Sequence, residues 1–79
     1  KLKFEEKLHR ISRRSFEHLG ELKVLNTDTR DGLKLHLEEN AWGLIRFSGT
    51  EPLIRLYAEA TSPGQVKKII QNCRMIVDG

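Results

Sequence analysis

The stretch Arg46-Phe47-Ser48-Gly49-Thr50-Glu51-Pro52-Leu53-Ile54-Arg55 is where residue types and spacing in this chain could do chemistry. An arginine stands at each end, with two hydroxyls and a glycine between. A tetrahedral oxyanion such as phosphate is held by donors converging from several directions, and a guanidinium is a planar fork that meets two oxygens at once. Ser48 and Thr50 add short donors. Gly49 permits torsions that aim consecutive amide groups into one concavity, an anion nest, and Pro52 stiffens the exit. Glu51 is the discordant member, because a carboxylate facing a phosphate dianion repels it; it must point away or pair with an arginine. Each hydrogen bond to a charged group is worth about 1.5–3 kcal/mol, so four or five of them hold a phosphate against its desolvation. The other reading of the same letters is an ordinary Ser-Gly-Thr turn flanked by two solvated arginines.

Two strands must deliver those arginines. Residues 42 to 48 and 53 to 60 are rich in Ile, Leu, Phe, Trp and Tyr and are separated by the short segment 49 to 52. Parity puts Ile45 and Phe47 with Ile54, Leu56, Ala58 and Ala60 on a core face. Trp42, Leu44, Arg46 and Ser48 then share the opposite face with Leu53, Arg55, Tyr57 and Glu59. That second set mixes aromatics, arginines and a hydroxyl, a composition found at binding surfaces, and equally one of plain cross-strand partners.

Upstream, Leu33, Leu35 and Leu37 alternate with Lys34, His36 and Glu38, the signature of a strand with one wet face. Residues 21 to 26 read as a further strand, with Asp31-Gly32 as the reversal after it and Glu39-Asn40-Ala41 as the next turn. Phe4, Leu8, Ile11 and Leu19 fall on one arc of a helix over residues 2 to 19, stopped by Gly20. Ser62, Pro63 and Gln65 predict a capping box. Behind it Val66, Ile69, Ile70, Cys73, Ile76 and Val77 repeat at helical spacing to about residue 77. The expected fold is α+β in the order α-β-β-β-β-α: a two-layer sandwich with a four-stranded antiparallel sheet and both helices on one face.

Seventy-nine residues allow one small domain and make a deep self-contained active-site cleft hard to enclose. The net charge of +3 is local, because residues 1 to 18 carry six basic and three acidic side chains and the rest is balanced. A basic face for nucleic acid is therefore not expected. No apolar run approaches the ~20 residues of a membrane helix. The single cysteine, with no visible signal peptide, fits a reducing cytoplasm. The chain starts at Lys1 and its only methionine is Met75, which reads as a piece of a longer protein. His9, His18 and His36 lack metal-ligand spacing, and no metal or catalytic residue is expected here. Cys73 falls on the buried stripe of the last helix and counts as a small apolar residue. The alternative from a different class is a stand-alone module binding RNA or another anion through Trp42, Tyr57, Arg46 and Arg55.

The run from Arg46 to Pro52, continuing through Leu53-Ile54-Arg55-Leu56-Tyr57-Ala58-Glu59-Ala60, closely resembles the phosphate-binding loop in the C-terminal domain of the α-D-phosphohexomutases, the phosphoglucomutase and phosphomannomutase family. Asp31-Gly32-Leu33-Lys34 and the Trp42 strand resemble that domain too, so the similarity covers most of the chain. The resemblance implies that residues 1–79 are one domain, the last of four around a cleft, with a TATA-binding-protein-like fold. It implies that Arg46, Ser48, Gly49, Thr50 and Arg55 contact the non-reacting phosphate of a hexose phosphate, with Glu51 and Pro52 shaping the loop. The parent would be an isomerase that interconverts hexose 1-phosphate and 6-phosphate through a phosphoserine and a bisphosphate intermediate, using magnesium. Its phosphoserine and its metal-binding aspartates would lie in the other three domains. This sequence contains no Asp-x-Asp-x-Asp run and no Ser-His-Asn-Pro-like loop, so the 79 residues alone are expected to be inactive.

Overall fold

Period-two alternation builds the last three strands of the sheet. The computed structural model describes residues 6, 9–11, 13–30, 32–47 and 53–78. It has one antiparallel sheet in chain order: β1 (His18–Leu19), β2 (Leu22–Asp28), β3 (Leu33–Leu37), β4 (Trp42–Phe47) and β5 (Ile54–Glu59), followed by a C-terminal helix (Pro63–Asp78). Leu33, Leu35 and Leu37 on β3 are 1%, 0% and 2% exposed, while Lys34 and His36 between them are half-buried on the other face. On β4, Gly43 and Ile45 face the core, as does Ala41 just before the strand. On β5, Ile54, Leu56 and Ala58 pack against it while Arg55, Tyr57 and Glu59 are exposed. The expected parity of both strands is what the structure shows.

The helix covers this inner face with Ile69, Cys73 and Val77, which are buried, and half-buries Val66, Ile70 and Ile76. At roughly 1.5–3 kcal/mol for each large aliphatic side chain taken out of water, this interface is the main stabilising term. Gly43 sets how close the layers come, because a Cβ there would sit 2.8 Å from Ile69 Cγ2 and 3.1 Å from Cys73 Sγ. Burial pushes the Cys73 thiol up to about 11, so it behaves as the apolar filler its position suggests. At the helix start Ser62 Oγ accepts from Gln65 N at 3.2 Å, as expected of a cap. The Gln65 amide does something else: its Oε1 accepts from the Thr61 hydroxyl at 2.7 Å and its Nε2 donates to Glu39 Oε1 at 3.3 Å. That tethers the helix start to the β3–β4 turn. In that turn Glu39 and Asn40 both have positive φ, 63° and 59°, the geometry of a type I′ hairpin.

Two expectations are corrected. The sheet has five strands, not four, because the first helix does not run to residue 19. Residues 6 and 9–11 are helical, Arg13 and Arg14 close a turn on Arg10 and Ile11, and His18–Leu19 form β1. Leu19 is buried in the same core cluster as Ile11, as the helical arc requires, but it arrives there from a strand. Gly20, at φ 65°, is with Glu21 one of the two hairpin residues between Leu19 and Leu22 rather than a helix stop. Phe4 and Leu8, also on that arc, lie outside the described residues. The second correction is to β2, which runs through Asp28 instead of ending at Asn26. A register shift between Val24 and Asn26 leaves Leu25 as the extra residue of a bulge, 63% exposed, and the pairing to β3 resumes beyond it.

Candidate functional site

The register of β4 and β5 sets Arg46 directly opposite Arg55. Both are exposed on the face the helix does not cover. Opposed residues in an antiparallel pair have Cα atoms about 4.5–5.5 Å apart, so the two guanidinium groups leave the sheet side by side. Like charges in this position oppose folding. Among the described residues neither arginine has an ion pair, and the nearest carboxylate on this face of β5, Glu59, pairs with Trp42 at the far end of the strand. An anion placed between the guanidinium groups removes that repulsion and gains charge-assisted hydrogen bonds.

The rows next to the arginines follow from the same register. Lys34, Leu44 and Tyr57 form the second row across β3, β4 and β5, and His36, Trp42 and Glu59 the third. Lys34 Nζ lies 4.5 Å from the Trp42 ring centroid. At the arginine end the strand start is held in place by Gly32, whose φ is 107°. A Cβ there would be within 2.4 Å of Ile45 O and 3.1 Å of Arg46 Cα, so β3 reaches the backbone under Arg46 only because this residue has no side chain.

Of the residues singled out from sequence, the structure brings together Arg46 and Arg55. Ser48, Gly49, Thr50, Glu51 and Pro52 lie outside the described residues. Trp42 and Tyr57 share the outer face as expected, as diagonal neighbours. His18 is on β1 rather than a helix, and His36 is on the outer face of β3. Among the described residues no three of His, Cys, Asp and Glu come together as metal ligands. Lys34 and the Gly32 contact were not assigned to the site from sequence. The usable signal was Lys34 on the wet face of its strand, but how near it came to Arg46 depended on an unknown register. Two open depressions share Arg14 and Phe16 in their linings, and the Arg14 guanidinium lies 5.0 Å from the Phe16 ring centroid.

The chain is 40% identical over 53 residues to a phosphoglucomutase/phosphomannomutase of Thermococcus kodakarensis, covering 67% of this chain and 11% of that protein. It is 39% identical over 51 residues to a phosphoglucosamine/phosphogalactosamine mutase of Sulfurisphaera tokodaii, covering 65% and 11%. With a phosphoglucosamine mutase of Methanocaldococcus jannaschii it shares 46% identity over 44 residues, covering 56% and 10%. The matched segments thus span about a tenth of these relatives' length. The family model described as phosphoglucomutase/phosphomannomutase, C-terminal domain, matches residues 2–74, and the chain belongs to that family.

Proposed function

We propose that this chain is the C-terminal domain of a longer, cytoplasmic phosphohexomutase, and that it grips the non-reacting phosphate of a hexose phosphate. The observation that carries this reading is the cross-strand opposition of Arg46 and Arg55 at the two ends of segment 48–52. Two guanidinium groups held side by side, with no ion pair to a described carboxylate, are unfavourable for stability, and they make sense where a dianion sits between them. Ser48, Gly49 and Thr50 would add hydroxyl and amide donors from the connecting loop, with Glu51 turned aside and Pro52 limiting its exit.

On this reading the domain's part in the reaction is positional. A substrate that must present each end in turn to one phosphoserine, passing through a bisphosphate, has two phosphates that exchange roles. A site that recognises charge and tetrahedral shape accepts whichever phosphate is distal. Binding energy gained there is spent on orienting the reacting end and on favouring closure of the cleft. Magnesium and the phosphoserine are assigned to the other domains of the parent, and no described residue of this chain is named as a metal ligand.

The test has two arms. Phosphate titrated into the 79-residue chain should shift the backbone amides of residues 46 to 55 with a dissociation constant of about 1 mM, the strength expected when two charge-assisted arginine contacts dominate. In the full-length protein Arg46→Ala should lower kcat/KM for the sugar phosphate at least tenfold, the loss of about 1.4 kcal/mol or more of transition-state stabilisation. Unmoved amides together with near-normal kinetics would overturn the proposal.

A further inference from the structure

Lys34 stands opposite Leu44, so the residues two before and two after Leu44 on the same face, Trp42 and Arg46, are its two diagonal neighbours. Diagonal partners lie about 7–8 Å apart, within reach of a lysine side chain in either direction. The side chain is turned toward the aromatic: Nζ is 4.5 Å from the Trp42 centroid, a cation on a π face. Lys34 has no ion pair with a described carboxylate. Its neighbour on β2, Asp28, is engaged by Arg30 through Oδ2 at 3.6 Å and through the Arg30 amide at 2.9 Å. On the other side of Lys34 lie the two arginines, whose field repels an ammonium while no anion is bound.

We propose that Lys34 is the third cation of the anion site, resting on Trp42 while the site is empty and moving to the Arg46 side when phosphate binds. The inference rests on the phosphate reading of Arg46 and Arg55, and it adds a residue and a movement to it. The driving force is a change of sign. A phosphate dianion between the guanidinium groups turns the field at Lys34 from repulsive to attractive, and a weak cation–π contact then competes with a charge-assisted hydrogen bond. A compact ammonium with three donors on a flexible stem is suited to such a move. Gly32, lying against the Arg46 backbone, has no side chain to occupy the path.

Trp42 is the only tryptophan in the chain, so its emission reports the ring on which Lys34 rests. The experiment titrates inorganic phosphate into the 79-residue chain and into Lys34→Met and Lys34→Arg, following Trp42 emission together with the amide shifts of Arg46 and Arg55. In the wild type the emission should change with the same midpoint as the amides. Lys34→Met, which keeps an apolar stem over the ring, should weaken phosphate about three- to fivefold, the upper part of the range of one solvent-exposed ion pair, and abolish the emission change. Lys34→Arg should recover most of the affinity. Binding by Lys34→Met within twofold of wild type, or flat Trp42 emission while the arginine amides shift, overturns the role of Lys34 and leaves the phosphate reading standing. Arginine amides that do not respond overturn both.

Discussion

A site made of two opposed cations should reveal itself in the melting temperature. Two unit charges about 7 Å apart repel by about 0.6 kcal/mol in water and roughly half that at physiological salt, which sets the scale of the Arg46–Arg55 repulsion. Occupancy by phosphate reverses the balance. Two arginine contacts at about 1.5–3 kcal/mol each bracket the 4.1 kcal/mol that corresponds to a dissociation constant of about 1 mM. At 100 mM phosphate, a hundredfold excess over that constant, the folded state gains about 2.7 kcal/mol by mass action. A domain of this size shifts its Tm by about 4–8 °C per kcal/mol, so the expected rise is roughly 10–20 °C. Arg46→Met, binding about tenfold more weakly, would retain about 1.4 kcal/mol and half the rise, while melting no lower than wild type in phosphate-free buffer. The assay is thermal unfolding by far-ultraviolet circular dichroism in phosphate against chloride at matched ionic strength. Because phosphate is excluded from protein surfaces and stabilises folded proteins generally, the decisive quantity is the difference between wild type and variant. Equal phosphate dependence in the two proteins would refute the reasoning, because the opposed pair would then hold no anion.

Two further outcomes follow from close approaches in the fold. Gly32→Ala combines a φ of 107° with a Cβ 2.4 Å from Ile45 O, a backbone atom that cannot swing aside, and should cost about 2–4 kcal/mol. Denaturant unfolding checks this, and a loss below about 1 kcal/mol would mean that β3 does not lean on the Arg46 backbone as described. Gly43→Ala places a Cβ 2.8 Å from Ile69 Cγ2 inside a packed layer. Overpacking of about 1–3 kcal/mol, offset by about 0.4–1 kcal/mol of reduced unfolded-state entropy, should lower Tm by roughly 5–15 °C in calorimetry. An unchanged Tm would show that the helix can retreat from β4 without cost.

Much of this was legible from local pattern. The alternation Leu33, Leu35, Leu37 against Lys34, His36, Glu38 is a property of neighbouring residues, and it specified both a strand and its buried face. Arg46 and Arg55 were placed on one face by parity alone. Ser62, Pro63 and the apolar stripe through Val77 marked the helix and its buried side. The failures have a common origin. A buried residue eight positions after Ile11 satisfies a helical arc, so Leu19 was read as helix. The hairpin through Gly20 wins because His18 and Leu19 find partners in Lys23 and Leu22, a pairing that periodicity does not express. The bulge at Leu25 is hidden for the same reason, since an extra residue in one strand is defined only by what the other strand does.

The sequence by itself determined which residues are apolar at period two and which at helical spacing. It therefore determined the buried faces of β3, β4, β5 and the C-terminal helix, and the concentration of anion-binding residue types around 46 to 55. The tertiary structure alone decided that Arg46 faces Arg55, that Lys34 lies between Trp42 and Arg46, and that Gly43 and Gly32 are contact points where a side chain cannot fit. The division is physical. Burial pattern is written in residues close along the chain, whereas register and close approach are set by which strand and helix surfaces meet, and those contacts join residues far apart in sequence.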